Sequence, residues 1–269
     1  MPSPGPRLQI GLVNIMPNAR DYEQLLRAAL GDERPHVDLH PIRLDSHDYR
    51  SSAAAIGDYP SFDEAMGRTP LDLLILTGAP VEHLPYDEIR YWGEIQRILG
   101  HAQRHLRSVL GICFGGLAVA RFLGVDKRVR DDKLFGVQPL QVAPDAMARN
   151  LLGRGDTPHL ALSTWALLDE GEADAAARRG LRTLARHPDL GPLVLATQDE
   201  RMVMVLGHPE YTVQTLYQEW QRDIPKGIAY TRGLGEHDFV AMAGLLEQHA
   251  PPILAHWVRH HRLACQAVA

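Results

Sequence analysis

Apolar positions along this chain follow two rhythms: short, mostly aliphatic runs, and longer stretches repeating every three or four residues. Residues 8–14, 71–77, 108–112 and 202–206 are runs of the first kind, expected of strands buried on both faces of a sheet. Residues 21–30, with Tyr22, Leu25, Leu26 and Leu30 on one side, carry the helical repeat. So do residues 88–105, with Trp92, Ile95, Ile98 and Leu99. Residues 37–42 add a strand, and 44–70, rich in Ser, Asp, Gly and Pro, read as an irregular excursion. This alternation of strands and helices predicts an α/β fold with a mainly parallel sheet covered on both faces.

The second half is shorter in its rhythms. Strands are expected at 135–142, 160–163, 193–198 and 202–206, the last two joined as a hairpin around Asp199 and Glu200. Residues 169–186, rich in alanine and arginine, read as one solvated helix. Residues 233–250 read as glycine-interrupted and then helical, and 253–262 as a final helix after Pro251-Pro252. Nothing marks a linker, so residues 1–269 read as a single domain, with 1–6 a proline-rich lead-in and 263–269 a tail.

In such sheets ligands bind beyond the carboxyl ends of the strands. Three segments fall there: residues 14–18, 77–80, and the turn at Cys113. The run Ser108-Val109-Leu110-Gly111-Ile112-Cys113-Phe114-Gly115-Gly116 is an apolar strand breaking at a thiol between glycines, and residues 117–123 are good helix formers. Strand, sharp turn and helix with a nucleophile at the apex is the nucleophile-elbow pattern. Negative charge at a helix N-terminus is favoured by the dipole and the unpaired N–H groups, which suits an attacking sulfur. Taken alone, the same pattern also fits a buried cysteine packed as a small hydrophobe.

A thiol nucleophile needs a base, and the base needs a group that fixes its tautomer. The chain has 14 histidines. One of them, His208, stands at the end of the apolar run Val203-Met204-Val205-Leu206, and Pro209-Glu210 follows it. An imidazole with a carboxylate two positions on, across a rigid proline, supplies base and orienter together.

Composition narrows the classes of function. Hydrophobic residues make up 45% of 269, enough for a sizeable core, and the net charge of −5 is spread without any basic stripe. Neither nucleic acid nor an anionic membrane is an expected partner. The N-terminus shows no apolar leader, and the two cysteines, Cys113 and Cys265, are far apart, which predicts a reducing, cytoplasmic compartment. Cys265 is expected on a mobile tail. The histidines are scattered without ligand spacing, so no metal site is expected.

The elbow together with Gly207-His208-Pro209-Glu210 resembles the class I glutamine-amidotransferase-like fold, a flavodoxin-like architecture. Asn14-Ile15-Met16-Pro17, Thr77-Gly78-Ala79-Pro80-Val81-Glu82, Tyr91-Trp92, Lys133-Leu134-Phe135-Gly136-Val137, the stretch from His208-Pro209-Glu210-Tyr211 to Arg222, and His256-Trp257-Val258 resemble, more narrowly, the homoserine O-acyltransferase family.

That resemblance implies ping-pong acyl transfer. Cys113 takes the acyl group of acyl-coenzyme A, a co-substrate rather than a bound cofactor. His208, oriented by Glu210, then deprotonates the side-chain hydroxyl of L-homoserine. The oxyanion falls to the backbone N–H of Phe114 and a donor at Ala79. Glu219 and Arg222 match positions that contact the acceptor amino acid, as do Ser163 and Thr164, where the family commonly has Ser-Arg. Glu82 occupies a position where acetyl-using members carry glutamate and succinyl-using members glycine, which implies acetyl-CoA. A homodimer is also implied.

Other departures bear on the acceptor. Asn18 and Ala19 stand where the family usually has two lysines. L-Serine is therefore a competing acceptor, one methylene being worth at most a few kcal/mol in discrimination. Succinyl transfer, a glutaminase subunit using the same cysteine and histidine, and a non-catalytic protein that kept the fold are the remaining readings.

Overall fold

The computed structural model describes residues 7–49, 56–153, 157–168, 170–231 and 238–266. The lead-in at 1–6, the glycine-rich start of 233–250 up to residue 237, and residues 267–269 lie outside that description.

Strands β1 (Leu8–Val13), β2 (Val37–Ile42), β3 (Leu73–Leu76), β4 (Ser108–Ile112) and β10 (Met202–Val205) lie parallel to their neighbours, in the order β2-β1-β3-β4-β10. The runs of β3, β4 and β10 are buried on both faces, which is why they read as continuous rather than alternating, whereas the edge strand β2 is only partly buried. Beyond β10 the sheet turns antiparallel through β9 (Gly191–Thr197) and β8 (Leu181–His187) to the two-residue β6 (Gln141–Val142), completing eight strands. Helices α1 (Ala19–Ala29), α3 (Trp92–His105), α4 (Phe114–Phe122) and α9 (Ile253–Gln266) bury their apolar sides in one core that includes these strands.

Several expectations are corrected. The excursion at 44–70 contains a helix, α2 (Phe62–Arg68), whose start is fixed by a reciprocal capping box of Ser61 and Glu64. The helix expected from residue 88 begins at Trp92, after a single 3-10 turn at Tyr86–Glu88. The expected helix over 169–186 divides into α6 (Glu170–Arg178) and strand β8. Gly180 adopts φ +83, which ends the helix, and Leu181 onward pairs with β9, so tertiary pairing outweighs local propensity. The final helix runs on to Gln266, which places Cys265 on that helix, half-buried, instead of on a mobile tail.

Strands β5 (Lys127–Pro139) and β7 (His159–Leu168) form a separate antiparallel ribbon, longer than expected at 135–142 and 160–163. Helices α5 (Ala146–Leu152), α7 (Val213–Asp223) and α8 (Phe239–His249) complete the chain. The ribbon meets the main sheet where the His208 N–H donates to the Ala161 carbonyl at 2.8 Å. That contact places β7 over the carboxyl ends of β4 and β10.

Candidate active site

The turn after β4 is built by steric necessity. Cys113 has φ 52 and ψ −115, a region that costs a non-glycine residue on the order of 1–3 kcal/mol. A Cβ at Gly111 would run into the Gly115 carbonyl, and one at Gly115 into the Leu76 carbonyl. Only glycine fits either position. The Cys113 N–H donates to the Val205 carbonyl at 2.8 Å, which pins the elbow to the neighbouring strand. Its Sγ lies 3.9 Å from the Ser163 carbonyl oxygen. Phe114 opens α4, so its N–H has no carbonyl within the helix to bond.

His208 follows β10 and is buried. Its Nδ1 lies 2.8 Å from Glu210 Oε1, and its ring stacks on Tyr211 with centroids 3.8 Å apart. Burial alone would lower its pKa. The facing Cys113 sulfur, the Glu210 carboxylate and hydrogen bonds to both outweigh burial and hold it well above the ordinary value. Gly78, at the end of β3, lies against both residues: a Cβ there would sit 3.5 Å from Cys113 Cβ and 3.6 Å from His208 Cε1. Cysteine, histidine and glutamate thus form a buried chain.

Cys113 and His208 open into a cavity of about 420 Å³. Ala79, Glu82, Ser163, Glu219, Arg222 and Asn18 line it too, so most residues singled out in the sequence converge there. Thr164 does not. It is fully buried, and its hydroxyl donates to the Ala166 carbonyl at 3.0 Å. Successive strand residues face opposite ways, so Ser163 and Trp165 point into the cavity and Thr164 points away.

Two carboxylates define the electrostatics. Burial pushes the Glu82 carboxyl upward, towards its neutral form, against the weaker pull of hydrogen bonds and Lys133. Its Oε1 accepts from the Trp165 N–H at 3.4 Å, while Oε2 has no protein partner. Glu219 is largely buried as well, with 12% of its side chain exposed, yet its pKa is lowered: the Lys133 ammonium and bonds from Lys133 and Ser163 outweigh burial. Lys133 Nζ lies 2.8 Å from Glu219 Oε1 and 2.6 Å from Asp223 Oδ2, and Ser163 Oγ donates to Glu219 Oε1 at 2.6 Å. Arg222 reaches the same oxygen at 3.0 Å from the next turn, with more than half its side chain exposed. The intrahelical pair and the cavity-facing clamp are therefore one arrangement.

Three participants escaped the sequence reading of the site. Lys133 and Tyr211 lie within segments that carry the family resemblance, with no chemical signal of their own, and Asp223 lies just beyond the last of them. Among the described residues, no group of three or more histidine, cysteine, aspartate or glutamate side chains could hold a metal ion, and no helix is long and apolar enough to cross a membrane.

Residues 5–242 match the protein family described as "HTS: Homoserine O-succinyltransferase". A protein named homoserine O-acetyltransferase from Jannaschia sp. is 35% identical over 82% of this chain and 70% of its own length. One from Pseudoalteromonas atlantica, named homoserine O-succinyltransferase, is 33% identical over 82% and 71%. Among solved structures, a glutamine amidotransferase from Methylobacillus flagellatus superposes with a TM-score of 0.60 at 15% identity, covering 94% of each chain. A Thermotoga maritima glutamine amidotransferase gives 0.58 at 14%, covering 94% of this chain and 98% of that one. At those identities the likeness is one of fold, an α/β glutamine-amidotransferase-like architecture.

Proposed function

The chain belongs to the homoserine O-succinyltransferase family, and from that premise we propose that it is a homoserine O-acyltransferase that moves an acetyl group from acetyl-CoA through Cys113. In the first half-reaction the Cys113 thiolate attacks the thioester carbonyl. The carbon–sulfur bond to coenzyme A breaks, and His208, protonated, gives its proton to the departing thiolate. In the second, His208 takes the proton of the acceptor hydroxyl, whose oxygen attacks the acetyl-cysteine and releases Cys113. Glu210 keeps Nδ1 protonated and stabilises the imidazolium in both halves. The N–H groups of Phe114 and Ala79 receive the oxyanion.

The observation carrying this reading is one cavity that joins the Cys113–His208–Glu210 chain to a clamp of opposite charges. Arg222, exposed and fork-shaped, suits the acceptor's carboxylate, and Glu219 with Asp223 suits its ammonium. Glu82 in the cavity wall favours the small acetyl group, since a succinyl carboxylate would be desolvated against a buried acid. Acetyl-CoA and succinyl-CoA, each assayed with homoserine and with serine, test donor and acceptor together. Faster turnover with succinyl-CoA would overturn the donor assignment.

Serine remains a second reading because Asn18 lines the cavity, where a lysine would add charge near the acceptor. A kcat/KM for serine above that for homoserine would establish it. A homodimer belongs to the same proposal, and sedimentation equilibrium checks it.

A further inference from the structure

Glu210 receives two hydrogen bonds on one oxygen. His208 Nδ1 lies 2.8 Å from Oε1, and the Tyr22 hydroxyl donates to that same Oε1 at 2.7 Å. Oε2 is buried without a partner, so Oε1 carries the whole hydrogen-bonding load of the carboxylate. Tyr22 sits on α1 with 3% of its surface exposed, and burial together with the Glu210 charge raises its pKa well above 10, so it remains a donor. By its spacing Tyr22 is one more apolar-face residue of an amphipathic helix. Its hydroxyl is the exception, spent on the catalytic chain.

We infer that Tyr22 is a positioning residue for the reaction: its hydroxyl fixes the Glu210 carboxylate in the orientation that holds His208 ready as acid and base. The physical ground is the cost of an under-bonded buried carboxylate. A carboxylate accepting several hydrogen bonds is stable as the anion, and one that loses a donor in a dry site is not. Without Tyr22 the carboxylate is held by His208 alone, and its support for the imidazolium weakens. The imidazolium–thiolate pair of His208 and Cys113 then forms less readily. The other ionisable groups facing this chain are Tyr211, stacked on His208, and Glu219, which His208 reaches electrostatically. Both remain in place when Tyr22 is changed.

This inference rests on Cys113 and His208 being nucleophile and base, but its test needs neither acyl-CoA nor acceptor. The rate of Cys113 alkylation by iodoacetamide is followed against pH by mass spectrometry of the Cys113 peptide, which separates it from Cys265. Tyr22→Phe keeps the ring and removes the hydroxyl. It is expected to slow alkylation at neutral pH about tenfold and to move its onset to higher pH, the size of one hydrogen bond to a charged group. In Glu210→Gln the same change is expected to do almost nothing, because Tyr22 acts through Glu210. Site-specific 3-fluorotyrosine at position 22 keeps the shape and strengthens the donor, so it remains informative where the phenylalanine variant does not fold. It is expected to move the onset to lower pH. An alkylation profile unchanged by either substitution, or a full effect of Tyr22→Phe in the Glu210→Gln background, overturns the inference. Absence of acyl transfer in the unsubstituted protein, with the alkylation profiles shifting as expected, would instead count against the proposed function and leave the role of Tyr22 standing.

Discussion

Lys133→Met tests the electrostatic reading of the cavity most sharply. The Lys133 ammonium is 5% exposed and sits 2.8 Å from Glu219 and 2.6 Å from Asp223, whose side chains are 12% and 3% exposed. Methionine fills the space without the charge, leaving the buried Asp223 and the largely buried Glu219 carboxylates short of a cation. Removing one partner of a buried ion pair typically costs 3–5 kcal/mol. Arg222 still reaches Glu219 and the Tyr230 hydroxyl still donates to Asp223, so about 3 kcal/mol is expected. For a protein of this size that corresponds to a Tm lowered by roughly 6–12 °C at neutral pH.

The pH dependence gives the sign. In the native protein the Glu219 pKa is lowered, so its contribution is present above the unfolded carboxylate pKa and is lost as acid protonates it. The raised Lys133 pKa contributes stability at neutral pH that is lost only as alkali deprotonates it. In the methionine variant desolvation of Glu219 is no longer opposed by Lys133, its pKa rises, and the deficit shrinks as pH falls. Differential scanning calorimetry from pH 5 to 8 measures this, with Lys133→Arg as the charge-keeping control. A deficit independent of pH, or a native Tm at neutral pH, would refute the reasoning.

Glu82→Gly removes a buried acid and opens volume, and is expected to raise the succinyl-to-acetyl ratio of kcat/KM about tenfold or more, read by competing the two donors. Ser163→Ala removes the donor at 2.6 Å from Glu219 and is expected to raise the acceptor KM several-fold while leaving alkylation of Cys113 unchanged. Gly115→Ala drives a methyl into the Leu76 carbonyl, and insoluble or strongly destabilised protein is expected on expression, whereas alanine at the unobstructed Gly93 is tolerated. Thr164→Arg buries a charge on the far face of β7 and is expected to destabilise without improving turnover in a homoserine assay.

The parallel half of the sheet was legible because short, mostly aliphatic runs admit few other uses, and the elbow because glycines bracket a cysteine where strand becomes helix. The antiparallel edge was not: Leu181–His187 follows an alanine-rich helix and becomes a strand only through its pairing with β9. The site divides the same way. Cys113, His208 and Glu210 are readable because each occupies a position that a local pattern defines. Lys133 and Asp223 come from separate elements, and only the fold brings a charge on β5 against two on α7. Thr164 shows the converse, since a residue beside the right one on a strand faces the wrong way. Tyr22 was read correctly as a core position of a helix, and no periodicity announces where its hydroxyl ends.

The central claim is that Cys113 carries the acyl group between two substrates. Intact-mass and peptide spectrometry after mixing the protein with acetyl-CoA alone, followed by homoserine, tests it directly. One acetyl group on the Cys113 peptide before any acceptor is present, release of coenzyme A in equal amount, and loss of the adduct when homoserine is added are the expected results. Coenzyme A released only when the acceptor is present, with Cys113 unmodified throughout, would contradict that claim.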